Sequence, residues 1–159
     1  MTATTRRAKG QSYAVPGVLL GIGLGGFVDG IVLHQILQWH HMVSAEESTS
    51  TVLGLERNTL GDGLFHAFAW IAVVAGVALL WSRVRQGESP APAGELWGWA
   101  IVGWGLFNVV EGLVNHHILG LHHVRDDLGA PLAWDLSFLA LGAALVLGGY
   151  LLARRGDRA

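Results

Sequence analysis

The stretch DGIVLHQILQWHH, Asp29 to His41, continues an apolar run long enough to cross a bilayer, yet it holds one acid, three histidines and two glutamines. A second stretch, EGLVNHHILGLHH from Glu111 to His123, repeats the plan 82 residues later. Alignment at that offset pairs Asp29 with Glu111, Gly30 with Gly112, His34 with His116, Ile36 with Ile118, Leu37 with Leu119, and His40 and His41 with His122 and His123. Chance seldom puts so many uncommon residues in register, so the chain reads as a tandem duplication.

The composition says where such stretches live. Only 14% of the 159 residues are charged while 52% are hydrophobic, which excludes an ordinary water-soluble domain. A membrane-spanning helix needs about 20 mostly apolar residues. Four segments meet or approach that length, at about Val15–Trp39, Leu64–Trp81, Leu96–Leu121 and Leu132–Leu152. Between the second and third lies SRVRQGESPAPAGE, residues 82–95, whose Pro, Gly and charge content cannot continue a helix. The expected fold is therefore all-α, a single integral membrane domain over residues 1–159. It is a four-transmembrane-helix bundle running up-down-up-down, built from two helical-hairpin repeats of about 15–84 and 96–154. In such a chain the first and third spans run in the same direction, so the repeat predicts a pseudo-twofold axis along the membrane normal.

Basic residues orient the bundle, because cytoplasmic loops retain Lys and Arg. Arg6, Arg7, Lys9, Arg83, Arg85, Arg154, Arg155 and Arg158 fall on one side, against Arg57 and Arg125 on the other. Both termini are expected in the cytoplasm. Trp39 and Trp134 then belong to the outer interface, and Trp81, Trp97 and Trp99 to the inner one. The first span is too long and too polar for a cleaved secretory signal, and its copy recurs mid-chain. Glycines 17, 21, 25, 26 and 30 form overlapping small-xxx-small patterns, which let helix backbones approach closely where lipid supplies no hydrophobic drive. The segment Ser44–Gly61 is expected to lie as a loop over the outer end.

All eight histidines (34, 40, 41, 66, 116, 117, 122 and 123) fall in the outer half of the spans or at their outer ends. At 1.5 Å rise per residue, His34 and His116 lie roughly 9 Å deep, and Asp29 and Glu111 about 16 Å deep, near the midplane. His66, entering from outside on the second helix, reaches a similar depth, one turn from Asp62. Taking about 100° per residue, His34 falls near 140° from Asp29, and His117 and Gln35 face away.

Ionisable groups inside a membrane are costly unless paired, so their default reading is functional. With no cysteine, a metal would be held by nitrogen and oxygen alone, and imidazole suits copper, zinc, iron and nickel. The candidate ligands are His34, His66 and His116, with Asp62 or Asp135 binding directly or orienting them. The outer pairs His40–His41 and His122–His123 are expected to capture an ion and pass it inward, to bind a second one, or to form a solvated pH-sensitive cluster. Asp29 and Glu111 are the midplane relay or second site. Haem held between His34 and His116 is an alternative, as pseudo-twofold mates in a four-helix bundle. A structural or proton-relay protein without metal is another, its polar groups bonding across helices to each other and to Asn108 and Asn115. An enzymatic role is left open, although the closely spaced HxxHH boxes of membrane desaturases are absent. Expected partners are the lipid bilayer, a second copy of the chain meeting at His117 and Gln35, or a respiratory or metal-handling membrane protein. Nucleic acid is not expected.

The blocks GFVDGIVLHQILQWHHM, DGLFHAFAW, WGLFNVVEGLVNHHILGLHHVRD and WDLSFLALGA resemble an uncharacterised family of bacterial four-helix membrane proteins, known as a domain of unknown function. The resemblance covers the chain except its two tails. It implies an integral protein of the bacterial cytoplasmic membrane and assigns no activity, cofactor or site. It also implies the company of copper-dependent oxidase assembly factors, which favours copper among the candidate metals.

Overall fold

The computed structural model describes residues 12–156; Arg6, Arg7, Lys9 and Arg158, used above to orient the chain, lie outside the described residues. Four long helices account for most of the described chain, and there is no strand among the described residues. Helix α1 (Ala14–Val28) runs on without a break into a π-helical segment, Asp29–Ile36. Helix α2 is Val52–Arg85, and α3 (Ala93–Glu111) likewise runs on into a π-helical segment, Gly112–Ile118. A 3-10 turn at Asp126–Leu128 precedes α4, Leu132–Gly156. Counting the π-helical extensions, all four are long and apolar enough to cross a membrane.

Several boundaries differ from expectation. The first and third spans stop at Ile36 and Ile118, short of Trp39 and Leu121. Helix α2 starts at Val52 rather than Leu64, so half of the expected loop is helix. The start has a local cause: Thr51 adopts an extended conformation and its side chain accepts a hydrogen bond from Gly54 N at 3.0 Å, a helix N-cap. The remaining loop is tied to α2 by Asn58, which is fully buried. Its Nδ2 donates to Glu47 O (2.8 Å) and Gly54 O (3.0 Å), and its Oδ1 accepts from Val43 N (3.1 Å). Asn58→Ala leaves these partners, buried Gly54 O and half-buried Glu47 O and Val43 N, without their bonds, at about 1–3 kcal/mol. A lower melting temperature and faster protease cleavage within residues 43–51 are the expected results in detergent.

The helices pack through glycine. Cβ atoms at Gly17, Gly21 and Gly25 would collide with Trp99, Ala100 and Trp104 of α3, whereas at Gly23, Gly26 and Gly30 they would press on Ala69, Val73 and His66 of α2. Helix α1 thus uses one small-residue face for each of two neighbours. Helix α3 does the same, meeting α1 at Gly103 and α4 at Gly98 and Gly105. The backbones therefore neighbour one another in the order α2, α1, α3, α4, with no close approach of α2 to α3 or α4, or of α1 to α4. This is more open than a closed four-helix bundle. At the Trp39 end, the Trp39 and Trp134 rings meet edge to face at 5.5 Å, and the Arg125 guanidinium lies over both, 4.3 and 5.1 Å from the ring centres.

Candidate metal centre

The two π-helical segments set the site. Their i→i+5 winding brings residues five apart above one another, where α-helical winding would turn them away. Asp29 and His34 are five apart, as are Glu111 and His116. Accordingly Asp29 Oδ2 lies 3.2 Å from His34 Nε2, and Glu111 Oε1 lies 3.1 Å from His116 Nε2. The angle of about 140° expected from regular helix does not apply.

Each segment then reverses. Leu37 N and Trp39 N bond back to Val32 O and Leu33 O (2.8 and 2.9 Å), and Gln38 takes a positive φ of 51°. In the second copy Leu119 N and Leu121 N bond to Val114 O and Asn115 O (2.8 and 2.9 Å), and Gly120 has φ 61°. The reversal folds His40 and His122 back into the protein rather than leaving them at the surface, so they are 2% and 0% exposed.

The loops then exchange bonds reciprocally. His40 Nδ1 donates to Val124 O and His122 Nδ1 to Met42 O, both at 3.0 Å. Asp127 N donates to Trp39 O (3.2 Å) and Ala45 N to Leu121 O (3.1 Å). A carbonyl only accepts, so the Nδ1 of His40 and of His122 holds a proton and Nε2 faces the interior as the potential ligand. Burial and the neighbouring His122 and His34 push the His40 imidazole far below its ordinary range, to about 2, so it stays neutral.

His34 is anchored by a carboxylate, and His116 lies beside one. Asp62 accepts from His34 Nδ1 (2.8 Å), His41 Nδ1 (2.7 Å), Gln35 Nε2 (2.8 Å) and Met42 N (2.9 Å). Asp135 accepts from His123 Nδ1 (2.6 Å) and Val124 N (2.9 Å), and lies 3.4 Å from His116 Nδ1. Both oxygens of each acid are thus engaged, which suits them to orient imidazoles rather than to bind an ion.

Four imidazoles gather in this way: His34, His40, His116 and His122. Ring centres of His34 and His40 are 4.5 Å apart, those of His116 and His122 4.9 Å, and His40 stacks on His122 at 4.7 Å with planes 4° apart. Phe65 stacks on His34 at 5.5 Å and Phe138 closes on His116 at 5.4 Å. Two groups have their ligand atoms close enough to share an ion, His34 with His40 and His122, and Glu111 with His116 and His122. Within them, His34 Nε2, His40 Nε2, both nitrogens of His116 and Glu111 Oε2 are buried without an aligned hydrogen bond, as are Asp29 Oδ2 and Asn108 Oδ1 beside them. Orphaned buried polar atoms are rare and costly, and here they converge.

The other expected residues are placed around this core. His41 and His123 flank it, each on its aspartate. His66 is in neither group: its Nδ1 bonds Asp62 O at 2.7 Å and its ring stacks on Phe27 at 6.2 Å, filling the space left by Gly30. The expected trio of His34, His66 and His116 is therefore not gathered, and His40 and His122 stand in place of His66. His117 and Gln35 are both exposed, and the Gln35 amide also donates to Asp62. Sequence reasoning missed the two anchoring carbonyls, Val124 O and Met42 O, for which no residue-type signal exists.

No curated protein and no solved structure matches the chain. Residues 16–156 match the family model described as "Predicted membrane protein (DUF2243)", a domain of unknown function, and the chain belongs to that family.

Proposed function

We propose that the protein holds one first-row transition metal ion, copper or zinc, among His34, His40, His116, His122 and Glu111. The observation that carries this reading is the convergence of four buried imidazoles, three of them with Nδ1 bonded to a fixed acceptor, while three Nε2 atoms have no hydrogen-bond partner among the described residues. Orienting acceptors of this kind accompany ligating histidines. Nitrogen and carboxylate donors without thiolate suit copper(II) or zinc.

The two donor groups share His122, whose Nδ1 is committed to Met42 O. Its single remaining nitrogen serves one ion at a time, so the groups are alternate positions for one ion. His122 Nε2 also lies 2.8 Å from Glu111 Oε1, and with Nδ1 protonated that contact needs one further proton. An ion binding to Nε2 must displace it.

In this reading the spans run up-down-up-down in a bacterial cytoplasmic membrane with both termini in the cytoplasm. The centre then occupies the extracytoplasmic half, on a pseudo-twofold axis between α1 and α3. The reciprocal bonds at matched positions support the axis. Haem fits less well: the His40 ring is 4.5 Å from His34 and 6.3 Å from His116, and that of His122 is 5.8 and 4.9 Å from them, filling the space a porphyrin between the two would need.

Metal analysis of detergent-purified protein after supplementation with copper, zinc and iron, with an absorption spectrum, tests the proposal. One ion per chain, with about one proton released per ion in a weakly buffered titration, is the expected result. A haem band, or no metal under any supplementation, overturns it.

A further inference from the structure

An ion bound at these donors must reach side chains that water does not touch, since His34, His40, His116 and His122 are at most 2% exposed. A metal site requires an entry path. A polar cavity of about 730 Å³ supplies one: its lining includes Gln35, His40, His41, Ser44, Asp62 and Asp126. A water molecule occupies about 30 Å³ of liquid, so a hydrated ion fits with its shell. The cavity reaches His40, a buried imidazole whose Nε2 is unpartnered. Two other cavities, of about 720 and 290 Å³, reach Glu111 and Asp29 but are lined mainly by apolar side chains in the gaps beside α3 and α1.

The charge of the polar cavity matches a cation. Glu46, Asp62, Asp126 and Asp127 line it, and no Lys or Arg among the described residues does. Asp127 is paired with Arg125 through two bonds of 2.8 Å, and Asp126 accepts from Ser44 Oγ and His123 N, which leaves Glu46 as the acid most free to attract an ion.

The cavity is walled mainly by the first repeat, the second adding Asp126 and Asp127. Met42 and Asp62 are 20 residues apart, whereas their counterparts Val124 and Asp135 are 11 apart. The extra residues form the cavity wall at Ser48, Thr49, Leu55 and Thr59, so His41 lines it while His123 does not. His41 is otherwise the twin of His123, with Nδ1 on Asp62 at 2.7 Å against Nδ1 on Asp135 at 2.6 Å. Its ring centre lies 6.4 Å from that of His34, which shares the same aspartate.

We propose that this cavity is the loading port of the metal centre for a hydrated divalent cation, and that His41 is the transit ligand that passes the ion from Asp62's side of the cavity to His34 and His40. This rests on the metal reading above. The near-symmetry of the fold provides a matched control, because His41→Ala and His123→Ala remove equivalent bonds from equally buried aspartates.

The experiment is stopped-flow loading of metal-free, full-length protein with Zn²⁺ or Cu²⁺ alone, alongside equilibrium stoichiometry. His41→Ala and Glu46→Gln are expected to slow loading by about tenfold, the low end of electrostatic steering effects, with the wild-type stoichiometry retained. His123→Ala should load within about twofold of wild type, and wild-type loading should slow with ionic strength. Equal slowing by His41→Ala and His123→Ala, or no slowing by either, overturns the port. Loss of stoichiometry in His41→Ala also overturns it, by making His41 a permanent ligand. If wild-type protein binds no metal at equilibrium, the metal reading itself has failed, and the port with it.

Discussion

His122→Ala is expected to abolish metal binding, with affinity falling by more than about 100-fold, beyond the 10–100-fold that losing a mere orienting partner costs. The reason is that His122 belongs to both donor groups. Without it, one position retains only His34 and His40, and the other only Glu111 and His116. His34→Ala or His40→Ala leaves the second position whole, and His116→Ala leaves the first. Each of these is expected to weaken binding by about tenfold while retaining one ion per chain, and Asp62→Asn, which loosens His34, to fall within the same 10–100-fold range. His66→Ala and His117→Ala should bind as wild type does. Equilibrium titration with Cu²⁺ or Zn²⁺, on variants that remain monodisperse by gel filtration, reads all of these. Wild-type affinity in His122→Ala would remove the basis for a shared ligand. A loss in His66→Ala equal to that in His34→Ala would restore the trio expected from regular helices.

That ordering of variants shows what the sequence made legible and what it hid. The spans were legible because bilayer thickness imposes a length on apolar segments, and α4 begins at Leu132 as expected. The acids and histidines that the structure buries were legible too, since ionisable residues stand out in an apolar chain. Their grouping was not. Regular winding turns His34 away from Asp29, and nothing in the residues of DGIVLHQI announces the wider turn that brings them together. The reversal that buries His40 was half visible. In the second copy Gly120 marks the turn, as a positive φ favours glycine, but in the first copy the same place is held by Gln38, which hides it. Reading the second copy's glycine onto the first would have ended the span at Ile36 and turned His40 inward. The early start of α2 had a signal as well, in Thr51 as an N-cap.

Because the proposed centre straddles two helices, its integrity depends on packing far from any proposed ligand. Gly21 stands where α1 touches α3: a Cβ there would collide with Ala100 O and come within 2.7 Å of Ala100 C and 2.8 Å of Trp104 N. These are backbone atoms, which cannot swing aside. Leucine at this position must push the helices apart, and overpacking of this kind costs about 1–3 kcal/mol or more. The displacement reaches the metal donors, because Asp29, His34 and His40 follow α1 while Glu111, His116 and His122 follow α3. Metal–nitrogen bonds near 2.0–2.1 Å tolerate little separation between the two sets. Gly21→Leu is therefore expected to lower the melting temperature and to weaken metal binding by at least tenfold, although it removes no ligand and lies two turns from Asp29. Gly148→Leu is the control: it adds the same side chain where no atom of the described residues beyond its own helix backbone lies within 4 Å of the new Cβ, and should change neither property. Wild-type affinity in a destabilised Gly21→Leu protein would mean that the ion is held from one helix and its loop alone, as Glu111, His116 and His122 allow, and would remove α1 from the centre.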